Sequence, residues 1–351
     1  MHDPVVAATA WLDQLAEALQ RHDVDAALAL FAADCYWRDL VAFTWNVRTL
    51  EGKPAIAAML AATLEGADPR AWTITRATAG EHDTLEAWFG FSTRTGAGEG
   101  IFRLENGLCR TMLTTLKSLA GHEEATGPSR PKGVRHGADR NRETWAEGRA
   151  REDAAFGQGT DPYVLVIGGG QGGIMLGARL RQLGVPTVIV EKNAKAGDSW
   201  RNRYRSLVLH DPVWYDHLPY LNFPEHWPVF TPKDKMGDWL EMYVKVMELT
   251  YWGSTECLSA RFDEGQKRWT VELLRDGQHL TLHPAQLVFA TGAYGPPKVV
   301  DLPGADQFAG QILHSSQYAD GAAYRDKNCV VIGAASPAMT WRSTSGRPAP
   351  K

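Results

Sequence analysis

The stretch Val164-Leu-Val-Ile-Gly-Gly-Gly-Gln-Gly-Gly-Ile174 constrains this chain more than any other. Its apolar run, Tyr163 to Ile167, reads as a short strand buried on both faces. It runs into Gly168-x-Gly170-x-x-Gly173, then a stretch with helical spacing, then a second apolar run, "PTVIVEK". Strand, tight turn, helix and strand in that order form the first half of a dinucleotide-binding α/β fold. Gly168 permits the sharp turn, Gly170 lets the backbone approach a pyrophosphate, and Gly173 lets the helix pack close on the strand. The helix start, Gln171 and Gly172, offers unpaired N–H groups and the positive end of its dipole to the phosphates.

Glu191 closes the second strand, 23 residues beyond Gly168. A carboxylate there accepts hydrogen bonds from both ribose hydroxyls and repels a 2′-phosphate. The site therefore suits FAD or NAD and disfavours NADP. Lys192 stands beside it on the same edge.

With 351 residues, 44% of them hydrophobic, the chain is long enough for about two domains, each with its own core. The net charge of −4, without a basic block, argues against nucleic acid as a partner. Cys35, Cys109, Cys257 and Cys329 are scattered, with no C-x-x-C, so neither a redox dithiol nor a metal site has its usual signature. Isolated cysteines fit a reducing, cytoplasmic location. The N-terminus has no secretory pattern, and no apolar run approaches the ~20 residues that span a bilayer.

Residues 8–33 place Trp11, Leu12, Leu15, Leu19, Val24, Ala27, Leu28 and Phe31 at helical spacing, with Asp23 and Asp25 at a break between two helices. Gly52-Lys-Pro54 starts a third helix. From Trp72 the pattern alternates, and Asn106-Gly107 between two such runs signals a hairpin. Three helices followed by antiparallel strands make an α+β unit over residues 1–120. The run "DVDAALALFAADCYWRDL", then "GKPAIAAML" and the strands, resembles the nuclear transport factor 2-like, or SnoaL-like, cone-shaped barrels. The resemblance implies a ligand pocket, an active site or a homodimer surface. Trp37, Arg38 and Asp39 either line such a pocket or belong to the core.

Residues 121–160 are polar and glycine-rich and read as a linker. Within them "NRETWAEGRAREDAAF" suits a helix docked through Trp145.

Beyond Glu191, "KNAKAGDSWRNRYRSLVLHDP" resembles the G-G-x-W segment of flavin-containing monooxygenases, with Gly197, Ser199 and Trp200 in the matching positions and Asp198 in place of the second glycine. "LVFATGAYGPP" resembles the A-T-G segment at which those chains pass close to FAD, here Ala290, Thr291 and Gly292. Phe308-x-Gly310-x-x-x-His314-x-x-x-Tyr318 resembles the family's identifier, and Tyr318-Ala319 at its end favours the YUCCA-like branch over the Baeyer–Villiger enzymes. The resemblance covers residues 162–336. It implies an FAD-binding Rossmann-type domain over 161–327 in which NADPH reduces the flavin and dioxygen adds at C4a. The resulting hydroperoxide then oxygenates a nitrogen, sulfur or carbonyl of a small organic substrate, or drives an oxidative decarboxylation. The cofactor supplies the reactivity, so few acids or bases are needed. At "VLHDP", His210 or Asp211 either stands in for the family's asparagine near the flavin or caps a loop.

Residues 328–351 read as the start of a second Rossmann domain, for NADP. Val330 to Ile332 are its expected first strand and Gly333 opens its turn, with Ala335 where a glycine is usual. The second strand should follow ~20 residues later, yet the sequence ends 18 residues after Gly333. Pro337 and a serine- and proline-rich tail stand where the family has an N-S-A-H-D-type helix. Shifted by one base, G+C-rich codons for Pro337 through Arg347 also encode Gly-His-Asp-Met-Ala-Val-Asp-Leu-Trp-Glu-Ala. The expectation is a C-terminally truncated, frameshifted monooxygenase whose tail from Pro337 is non-native and which does not turn over. The alternative is a non-catalytic flavin- or ligand-binding protein that uses its N-terminal cone. A flavin disulfide reductase needs a paired cysteine near the flavin, and none is present.

Overall fold

The computed structural model describes residues 3–133, 136–138, 140–292, 297 and 300–333, which form two compact units, Met1–Thr126 and Gly127–Lys351.

In the first unit, α1 (Pro4–Gln20) and α2 (Val24–Ala29) are followed by β1 (Phe31–Leu40), β2 (Val47–Glu51), α3 (Gly52–Ala67), β3 (Arg70–Ala79), β4 (Thr84–Ser92), β5 (Gly96–Glu105) and β6 (Leu108–Leu119). Asp23 caps α2 by accepting from the Ala26 amide at 2.9 Å. The expected order of three helices and then strands is corrected here, because β1 and β2 intervene between α2 and α3. The alternation of β1 is hard to read because its inward positions, Cys35 and Trp37, continue into a charged residue, Asp39. The sheet order β2-β1-β6-β5-β4-β3 ends on two unpaired edges, so the described strands form an open layer and not a closed barrel. Asn106 and Gly107, both at positive φ, make the expected two-residue turn between Glu105 and Leu108.

Aromatic rings fill the interior of this layer. Trp11 lies 4.4 Å from Phe102 and Trp72 lies 4.9 Å from Phe91, centroid to centroid, with Trp37 between Phe31 and Phe43. The rings fit because the inward positions Gly98 and Gly100 of β5 have no side chain. A Cβ on Gly98 would stand 2.4 Å from the ring of Phe91, and one on Gly100 2.3 Å from that of Phe89. Trp37 and Asp39 point inward and Arg38 outward to Thr49, so the three do not line one pocket.

The second unit holds α4 (Trp145–Ala155), β7 (Val164–Ile167), α5 (Gln171–Gln182), β8 (Thr187–Val190), α6 (Asp198–Arg201), α7 (Lys233–Val246) and β9 (Tyr251–Trp252). After these come β10 (Thr255–Asp263), β11 (Arg268–Arg275), β12 (Gln278–Leu282) and β13 (Gln286–Phe289). A parallel sheet in the order β13-β7-β8-β9 carries α5 and α7 on one face, where Val166, Ile189, Ile174, Leu240 and Tyr243 are buried together. The antiparallel meander β10-β11-β12 covers the other face, through Leu165, Val188, Val271 and Leu273.

The helix expected around Trp145 is present, and a second side chain shares its attachment. Trp145 is half exposed and donates its indole N–H to Glu248, while the Arg149 side chain, only 13% exposed, donates to the Glu248 carbonyl at 2.7 Å. A guanidinium with five donors can satisfy several carboxylates and carbonyls at once, so Arg149 anchors α4 together with the expected indole.

The strand expected at Val330–Ile332 is not formed. Val330 is 88% exposed and pairs with no described strand. A parallel strand gains its hydrogen bonds and burial from neighbouring strands, and none of the described strands pairs with it. The rest of the expected second Rossmann domain, with the frameshift expected from Pro337, lies outside the described residues.

Candidate functional site: a glycine turn clamped from two sides

The site forms where β7 hands over to α5. Gly168 sits at φ +109°, and its N–H donates to the Val190 carbonyl at 2.9 Å. A Cβ there would meet the Ala290 carbonyl oxygen at 2.4 Å, because the chain leaving β13 passes against the turn. A Cβ on Gly173 would lie 2.0 Å from the Gly168 carbonyl oxygen, so the helix rests directly on the turn. Gly170 is the N-cap of α5, and beyond Gly170 and Gly172 there is open space. Among the described residues nothing accepts from the Gly170, Gln171 or Gly172 amides, as expected of a first helical turn. This cradle of outward donors suits an anion held by main chain.

Glu191 follows β8 directly and is buried. Its Oε2 accepts from the Gly169 amide at 2.8 Å, and its Oε1 accepts from the Asn193 amide at 3.0 Å and side chain at 2.6 Å. These bonds hold the carboxylate at the rim of the turn; Oε1 is filled by its two bonds from Asn193, and Oε2 keeps a lone-pair direction for a sugar hydroxyl. Lys192 is exposed next to it.

Trp200 on α6 donates its indole N–H to the Gln171 side chain at 3.2 Å, which brings the tryptophan segment to the helix start. Ser199 is exposed beside it. Thr291 and Gly292, the latter at φ +89°, follow β13 on the same side as Gly168. Residues 293–296 lie outside the described residues.

The remaining predicted residues stand apart from the turn. His210 and Asp211 are exposed on the loop after Leu209. Within the 308–318 motif, Tyr318 is buried against Tyr204 and Leu207 with Trp200 alongside, so the motif packs beneath the tryptophan segment. His314 is half-buried and caps a short turn by accepting from the Ser316 amide at 3.2 Å. Phe308 is exposed and folds over Gly310. Gly333, at φ +123°, ends the described chain.

Two residues at the site were not foreseen. Asn193 could have been inferred from its place two positions after the carboxylate. Tyr251 carries no local signal, since it lies 82 residues from Gly169, whose carbonyl accepts its hydroxyl at 3.2 Å. Burial, reinforced by the charges of Glu191 and Asp198, pushes the Tyr251 phenol far above its ordinary value, so it remains a donor.

Residues 165–340 match the family of pyridine nucleotide-disulphide oxidoreductases, and residues 12–111 match the SnoaL-like domain. Indole-3-pyruvate monooxygenase YUCCA1 of Oryza sativa subsp. japonica is 32% identical over 203 residues, 58% of this chain and 46% of that protein. YUCCA4 of the same species is 30% identical over 191 residues, 51% of this chain and 43% of that protein. The chain thus spans less than half the length of these relatives. Of solved structures, a flavin-containing monooxygenase from Stenotrophomonas maltophilia is 26% identical with a TM-score of 0.43, covering 48% of this chain and 49% of that one. OTEMO in complex with FAD and NADP is 23% identical with a TM-score of 0.43, covering 53% and 37%.

Proposed function

The chain belongs to the pyridine nucleotide-disulphide oxidoreductase family, and from that premise we propose that its second unit holds FAD in the service of a flavin-dependent monooxygenase reaction. The observation that carries this reading is the joint geometry of the open amides at Gly170–Gly172 and the Glu191 carboxylate 2.8 Å from the Gly169 nitrogen. The amides would take the diphosphate and Glu191 the adenosine ribose. Two unit charges ~5 Å apart at an effective dielectric of ~20 repel by about 3 kcal/mol, enough to turn away a 2′-phosphate. NADP(H) therefore belongs at a second site, which the sequence begins near Gly333.

The monooxygenase side of the family fits better than its disulphide chemistry. The described cysteines of this unit, half-buried Cys257 and exposed Cys329, are both free thiols, and neither is at the glycine turn. Bound flavin supplies oxygen activation, with NADPH as reductant and dioxygen as co-substrate. The protein's own residues bind and orient it: Trp200 and Gln171 close one side, and Tyr318 supports Trp200 from below. The substrate class is a small organic molecule oxygenated at nitrogen or sulfur, or decarboxylated oxidatively. The relatives named for indole-3-pyruvate favour the last.

Residues 1–351 alone are proposed to bind FAD without NADPH-driven turnover, since the stretch that should open the second site pairs with no described strand. The first unit, its interior filled by rings, is proposed as a homodimer surface and not a ligand cone. No helix of the described residues is long and apolar enough to cross a membrane, and a cytoplasmic location is proposed.

Purified protein tests the reading. Yellow protein that stays oxidised under anaerobic NADPH is the expected result. Bleaching would overturn the claim of no turnover, and colourless folded protein that takes up no FAD would overturn the cofactor assignment.

A further inference from the structure

Gly169 is the variable position inside the glycine turn, yet both of its peptide groups are held. Its N–H donates to Glu191 Oε2 at 2.8 Å, and its carbonyl accepts from the Tyr251 hydroxyl at 3.2 Å. Tyr251 comes from β9, two strands from β7 in the sheet, and its ring passes beneath the turn. A Cβ on Gly169 would stand 2.3 Å from the tyrosine oxygen and 2.5 Å from its ring, so this contact alone confines the position to glycine.

The consequence follows from the planar trans peptide. The carbonyl of Gly169 and the N–H of Gly170 belong to one rigid plane and point in opposite directions. Fixing the carbonyl down toward Tyr251 turns the Gly170 N–H outward, into the open space above the turn. Without the hydroxyl, a glycine-rich peptide can rotate freely, since both neighbours tolerate either sign of φ.

We propose that Tyr251 is a positioning residue for the dinucleotide, aiming the Gly170 amide at the diphosphate from beneath the turn. This rests on the reading of the turn as an FAD site. Tyr251 touches the loop, not the ligand, and its effect is confined to ligands that carry a diphosphate. Glu191 governs the sugar independently.

The test uses the full chain and Tyr251→Phe, which keeps the ring and removes only the hydroxyl. Binding of FAD and ADP is followed by calorimetry, and binding of adenosine by ligand-observed NMR. The expected result is a roughly tenfold rise in Kd for FAD and ADP with adenosine unchanged. General loosening of the fold would weaken all three together, and equal FAD affinity in both proteins would show the hydroxyl idle. Either outcome overturns the proposal. Gly169→Ala supplies a second reading: paired with Tyr251→Ala, which makes room, it should bind FAD no worse than Tyr251→Ala alone, and additive losses would count against the contact. If the wild type binds neither FAD nor ADP, the cofactor reading itself fails, a result distinct from wild-type binding with no effect of the substitution.

Discussion

Gly197 and Gly237 meet backbone to backbone: a Cβ on Gly197 would stand 2.2 Å from the Gly237 carbonyl oxygen. This contact locks α6 against α7, and Arg201 secures it by pairing with Asp198, Asp238 and Glu241 at 2.9–3.0 Å. The two helices in turn hold Trp200 beside Gln171. Gly197 also lies at φ +87°, so an alanine there faces both strain and a collision. Gly197→Ala should destabilise the second unit by about 2–4 kcal/mol and weaken flavin retention, read from a denaturation curve and the flavin-to-protein absorbance ratio. An unchanged denaturation midpoint would show that the helices part easily.

Glu191→Gln keeps the shape of the side chain and removes its charge. Preference for ADP over 2′-phosphorylated ADP, expected to be about a hundredfold in the wild type, should shrink to a few-fold, and FAD should bind more weakly. Competition titrations with the two nucleotides would reveal it. A preserved preference would mean that another group reads the ribose.

Asp39 is a structural carboxylate. Fully buried, it accepts from the Phe43 and Thr44 amides, the Thr44 hydroxyl at 2.7 Å and the Thr114 hydroxyl at 2.8 Å. Asp39→Asn replaces one acceptor oxygen by a donor that faces donors, at a cost of about 2–3 kcal/mol. The first unit should melt earlier, with FAD affinity untouched. Loss of flavin binding would contradict a purely structural role.

Asp216 supplies a pH signature. Burial first, and the nearby charge of Asp211 second, push its carboxyl above the ordinary carboxylate range, although His217 opposes them. Its Oδ2 has no hydrogen-bond partner among the described residues. A carboxyl raised in this way binds its proton more tightly folded than unfolded, so its charge costs stability at neutral pH, and the cost fades as the pH falls through the raised value. Asp216→Asn should therefore stabilise the protein at pH 7 and leave a smaller difference near pH 4. Urea midpoints across that range give the comparison; a destabilised variant at pH 7 would refute the sign.

On the outer face of the first sheet, Trp88, Ile101 and Leu113 are cross-strand neighbours, half-buried, with the Arg76 guanidinium 4.4 Å from the Trp88 ring. Should this row be the homodimer surface, Ile101→Glu would halve the mass seen by analytical ultracentrifugation while leaving the circular dichroism spectrum intact. Equal masses for the two proteins would remove this face from consideration.

Much of the site could be read locally. The turn from Gly168 to Gly173, the helix it starts and the carboxylate at Glu191 depend on neighbours within one strand–helix–strand unit, and short-range sterics and hydrogen bonding suffice to specify them. The alternation of the strands after Trp72 and the Asn106-Gly107 hairpin were legible for the same reason. By contrast, the inward Asp39 disguised β1, because its buried carboxylate depends in part on a donor from Thr114, 75 residues away. The anchoring of α4 by Arg149 and the clamp of Tyr251 on Gly169 likewise join residues 99 and 82 positions apart. Hydrogen bonds of that span follow from strand order and helix packing, which only the assembled tertiary structure decides, whereas the identity of the turn was already determined by which residues can bend the backbone there.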